Sequence, residues 1–133
     1  MKIEALRTQL YNGLKSFLSF PVVMITDTAS ERKLDTLRKD NGCVVWISKT
    51  TNRILTARVH KGSMFNIEFA VFVETNPLVK NAPNFNNVLD EVIKAVSGME
   101  KNNLGDYFSV VKTEEFNELP GNGLVTVYHL MEV

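Results

Sequence analysis

The sequence predicts an α+β domain, a mainly antiparallel β-sheet with two amphipathic helices packed on one face. Two stretches carry apolar residues at helical spacing, one from Ile3 to Phe17 and one from Phe85 to Val96. Met64 to Glu74 instead alternates, so that Phe65, Ile67, Phe69, Val71 and Val73 share one face of a β-strand. Pro120-Gly121-Asn122-Gly123 then marks a tight turn before a last apolar run, which reads as a terminal hairpin.

One domain spanning residues 1–133 is expected, because 133 residues is close to the common size of a single core. Basic and acidic residues number 15 each, so no net charge argues for nucleic acid and little opposes self-association. The lone cysteine, Cys43, excludes an intramolecular disulfide and fits a reducing cytoplasm or a particle assembled there. The charged start Met-Lys-Ile-Glu-Ala-Leu-Arg does not resemble a secretory signal. No apolar run approaches the ~20 residues of a membrane span, so no membrane partner is expected.

In chain order, Ile3, Leu6, Leu10, Leu14 and Phe17 form the stripe of the first helix, with Lys2, Glu4, Arg7, Gln9 and Lys15 off it. Pro21 ends that helix, and Phe20 to Thr26 reads as a short strand buried on both faces. Asp27 to Gly42 has only Leu34 and Leu37 to bury and reads as a mobile polar connector with one helical turn, where Ser30 is placed to cap a short helix containing both leucines. An alternative is an arm that orders against a neighbouring subunit. Cys43 to Ser48 is an apolar strand, Lys49-Thr50-Thr51-Asn52 a polar turn, and Arg53 to His60 an alternating strand leading through Gly62 into Met64 to Glu74. Together these read as an antiparallel meander. The second helix runs from about Asn84 to Ser97, with Gly98 placed for a left-handed cap. Tyr107 to Lys112 and Leu124 to Val133 close the sheet.

No phosphate loop, nucleophile elbow, His-Glu-x-x-His or Cys-x-x-Cys pattern is present. His60 and His129 read as unrelated sheet residues rather than a metal or acid-base pair, and Cys43 as a small buried residue rather than a nucleophile. The expectation is therefore a non-enzyme with no catalytic residue, no metal and no cofactor. Subunit contact is expected at Ala70 and Phe72, which interrupt the polar face of Met64 to Glu74. It is also expected where a basic group, Arg32, Lys33, Arg38 and Lys39, meets an acidic group, Glu114, Glu115 and Glu118, across an interface. Solvated loops are the plainer reading of both groups and stand ahead of the interface.

The order helix, strand, connector, meander, helix, hairpin resembles the tail-terminator, tail-completion and minor tail proteins of long-tailed bacteriophages and prophages. The likeness is carried by Ile3 to Phe17 leading into Pro21-Val22-Val23, by Arg53 to Val59 with Phe65 to Val73, by Val88 to Val96, and by Leu124 to Val133. It implies a virion assembly protein that forms a homo-oligomeric ring, commonly a hexamer, on the tail tube. Such a ring stops tube growth and meets the head-completion proteins, working in the host bacterial cytoplasm and then in the virion tail. No sequence-specific nucleic-acid contact is implied. A small-ligand-binding or regulatory domain and another head-tail neck or tube protein are the alternatives.

Overall fold

The structure is a computed structural model, and it describes residues 2–59, 62–101 and 105–132. Its fold is α+β, with three helices and one five-stranded sheet that is antiparallel except at one edge. Helix α1 (Lys2–Phe17) leads into β1 (Val22–Met24), α2 (Thr28–Asp40), β2 (Cys43–Val59) and β3 (Gly62–Thr75), then α3 (Phe85–Ser97), β4 (Ser109–Glu115) and β5 (Asn122–Glu132). The strand order is β1-β2-β3-β5-β4.

Apolar periodicity decides what each element buries. On β3 the odd positions Ile67, Phe69, Val71 and Val73 are fully buried, and β5 sets Val125, Val127 and His129 beside them. Onto this inner face α1 brings Leu6, Leu10 and Leu14, and α3 brings Val88, Val92 and Val96. Each such side chain contributes roughly 1.5–3 kcal/mol through burial. Gly123 lets the layers close: a Cβ there would stand 2.2 Å from the Glu114 carbonyl oxygen and 2.6 Å from the Phe85 ring. Gly121, with φ of 86°, supplies the turn between β4 and β5.

Four details depart from the sequence reading. First, residues 27–42 hold a 13-residue helix rather than one helical turn, opened by a capping box in which Asp27 and Ser30 each bond the other's backbone N–H. Its cause is topological: β1 and β2 pair in parallel, Val22 with Val45 and Met24 with Ile47, and a parallel pair needs a crossover. Helix α2 covers the outer face at that edge, where Leu34 packs with Val23, Ile25 and Val44. Second, Lys49 to Asn52 is no turn. Strand β2 runs through it with a register shift between Ile47 and Thr51, because the segment offers β-branched threonines and neither Gly nor Pro. Third, Gly98 is right-handed, at φ −88° and ψ −1°, and still caps α3 by donating to Lys94 O. Fourth, Arg7 is buried at 4% exposure although it falls off the apolar stripe. It donates to Glu4 and, at 2.7 Å, to the Lys49 carbonyl.

Val59 pairs with Gly62; the neighbouring His60 and Lys61, part of the link expected there, lie outside the described residues, as does Val133.

Candidate functional site

The outer sheet face carries a cluster that the backbone register assembles. Trp46 of β2 and Phe72 of β3 are register partners, and their rings stack at 4.2 Å with a 12° interplanar angle. Phe116, from the β4–β5 turn, approaches Phe72 at 6.4 Å. Glu74 completes the group: its carboxylate accepts a fork of two bonds from Arg38 of α2, both 2.8 Å, and another from the indole N–H of Trp46. Arg38 also lies 5.9 Å from the Trp46 ring and bonds Asp35 at 2.9 Å. The Glu74 bond raises the Arg38 guanidinium above its already high value, so this cation stays charged. A cleft of about 380 Å³ lies among Arg38, Trp46, Phe72, Phe116 and Leu119. Leu119 on its rim is 60% exposed.

Beyond this cluster no helix covers the outer face among the described residues. Ala70 pairs there with Thr126, Glu68 with Tyr128 and Asn66 with Leu130, each half-buried. Ala70 and Phe72 are thus on the uncovered side, as their alternation implies. Phe72, however, is not a free ring, since one side is already satisfied by Trp46. Arg38 likewise is engaged within its own chain, whereas Arg32, Lys33 and Lys39 are exposed on α2. Of the acidic group, Glu114 lies 3.9 Å from Lys112, Glu115 accepts from the Gly121 N–H at 2.8 Å, and Glu118 is exposed in the turn. Trp46, Glu74, Phe116 and Leu119 were not visible as site residues. Only the strand register and the fold of the turn place them beside Phe72.

The residues weighed for chemistry sit elsewhere. His129 is 1% exposed on the inner face, with its Nδ1 2.7 Å from the Leu130 carbonyl and its ring edge-on to Phe108 at 4.5 Å. His60 lies outside the described residues. Among the described residues no three His, Cys, Asp or Glu side chains are grouped to hold a metal ion. Cys43 is buried, and desolvation pushes its thiol up to about 12, which leaves it protonated and a poor nucleophile. Among the described residues no helix is long and apolar enough to cross a membrane. No family model and no curated protein matches the chain.

Proposed function

We propose that this chain is a structural assembly protein of a phage or prophage tail. In this reading it acts as a tail terminator, forming a ring that caps the tail tube and joins it to the head. It is not an enzyme and needs no cofactor. The observation that carries the reading is the outer sheet face. A sheet normally covers both faces or solvates one with polar side chains. Here β3 and β5 leave Ala70, Tyr128 and Leu130 half-buried beside an aromatic cleft walled by Phe72 and Trp46, where Leu119 is exposed. Glu68, Asn66 and Thr126 pair with Tyr128, Leu130 and Ala70, so the face mixes apolar and polar side chains, as protein contact surfaces do. Ring formation uses such a surface against a different surface of the neighbour. The host cytoplasm and then the virion tail are the corresponding locations. Light scattering over a hundredfold concentration range tests the self-association: the mass should rise well above 15.0 kDa at the higher end. A mass that stays at the monomer value throughout, with and without tail tubes, contradicts the reading.

A second reading, a small-ligand-binding domain, is favoured by one feature. An open groove of about 750 Å³ runs between α1 and α3, lined by small residues such as Ala5, Gly13, Ala95 and Gly98 with Phe17 at one side. The layer between helices and sheet is filled by Leu10, Leu14, Val88 and Phe69, all at 0% exposure, and among the described residues holds no such space. A ligand that raises the melting temperature in a thermal-shift screen, and loses that effect in Ala95→Leu, would support this reading over the first.

A further inference from the structure

We propose that copies of this chain join head to tail through their sheet edges, with β4 of one copy pairing antiparallel to the distal half of β2 in the next. The inference deepens the assembly reading and rests on it only for the statement that the chain self-associates.

The two edges are unlike. On one side β1 covers β2 only from Val45 to Ile47, and Ile25 and Arg7 then bond the carbonyls of Ile47 and Lys49. From Thr51 to Val59 no strand lies on that side of β2 among the described residues. On the other side β4 ends the sheet, and its outward backbone has no neighbour among the described residues. A strand edge left open is a template for another strand. Because β2, β3, β5 and β4 alternate in direction, β2 and β4 are themselves antiparallel. A neighbour docking in the same orientation therefore continues the sheet with antiparallel pairing.

Charge decides which edges meet. From Cys43 to Ile67 the chain carries Lys49, Arg53, Arg58 and Lys61 and no acidic residue. β4 itself carries Lys112, 3.9 Å from Glu114, and after it the chain carries Glu114, Glu115, Glu118 and Glu132 and no Lys or Arg. Arg53 and Arg58, partners of Ile67 and Ser63, are exposed on the β2 arm, and Glu114, partner of Leu124, and Glu118 are exposed on the β4 side, so the two groups act through the field of each edge and not as direct pairs. Two β2 edges repel each other, two β4 edges do the same, and β2 against β4 attracts. Exposed apolar side chains stand on both edges as well, Leu55 at 48% exposure on β2 and Val111 at 49% on β4.

The geometry also sets a stagger. Lys112 is level with Ala70 through Thr126, while Leu55 is level with Phe65. Reaching the open part of β2 with like faces kept together thus shifts the neighbour along the strands by an even number of residues, about four to six, roughly 14–20 Å at ~3.4 Å per residue. Contacts of this heterologous kind close into rings or run on as helices.

Two variants of the full chain test the pairing. Arg53→Glu with Arg58→Glu makes both edges acidic, and Glu114→Lys with Glu118→Lys makes both basic; Glu115 is kept because it holds the turn. Each variant alone should keep the wild-type far-ultraviolet circular dichroism and associate at least roughly tenfold more weakly in sedimentation velocity. An equimolar mixture should regain the wild-type sedimentation coefficient, because acidic and basic edges then alternate. If either folded variant associates like the wild type, or if the mixture stays dissociated, the edge pairing is wrong. The wild-type run separates the two claims: a wild type that assembles while the variants behave otherwise than stated leaves the assembly reading standing, whereas a wild type that never assembles removes both.

Discussion

Phe69 and Phe72 are three residues apart on one strand and answer to different parts of the protein. Phe69 is fully buried and meets Phe108 edge-on at 6.1 Å, so Phe69→Asp places a charge in the core and should leave the chain unfolded by circular dichroism. Phe72→Ser removes a stacked ring, worth ~0.5–1.5 kcal/mol beyond its buried area, from a half-buried position. That variant should stay folded with a lowered melting temperature and associate less. Equal loss of folding in both would place Phe72 in the same core. Their alternation was legible in the sequence, and so was the choice of Phe72 as the unusual member of the outer face. The Trp46 stack and the Glu74 fork were not, because they depend on the partner strand's register. Cys43 gives a pH prediction. Its thiol sits near 12 in the fold against an ordinary 9.0, so the unfolded chain releases that proton first. The stabilisation is complete below about pH 9 and is lost as pH rises toward 12. Comparing urea unfolding of wild type and Cys43→Ala at pH 7 and pH 10.5 checks the sign: the wild type should lose more stability between the two. An equal loss in both would mean that the thiol does not titrate differently on folding.

Helix α2 shows where reading elements from sequence reaches its limit. Its 13 residues hold few apolar side chains, so periodicity gives little signal, and the segment reads as a solvated connector. What makes it a helix is the parallel pairing of β1 with β2, a long-range fact that no local pattern carries. The same holds for Lys49 to Asn52, polar enough for a turn but held in β2 by pairing of Thr51 and Asn52 with Phe69 and Glu68. The elements with dense apolar stripes, α1, α3, β3 and β5, were legible because their burial requirement is local. If α2 docks through Leu34, buried at 4% exposure, Leu34→Ala should cost about 2–4 kcal/mol in chemical denaturation. Amide exchange should rise first in residues 22–46. A change below ~1 kcal/mol would mean that the Arg38–Glu74 fork, not the leucine, seats the helix.

At the scale of the whole molecule, one sheet face is closed by α1 and α3 and the other only in part by α2. The partly covered face, the aromatic cleft and the two unlike edges are the features that a single chain leaves unused. In the proposed reading an assembling subunit uses them as contact surfaces. The class of the fold followed from composition and periodicity, but the uncovered face emerges only once the third helix is placed. The most direct measurement is electron microscopy of growing tail tubes, with and without the added protein. If the chain terminates tails, tubes should be of limited length with a ring at one end. Tubes that grow to the same lengths, with bare ends and the protein left monomeric in solution, would contradict it.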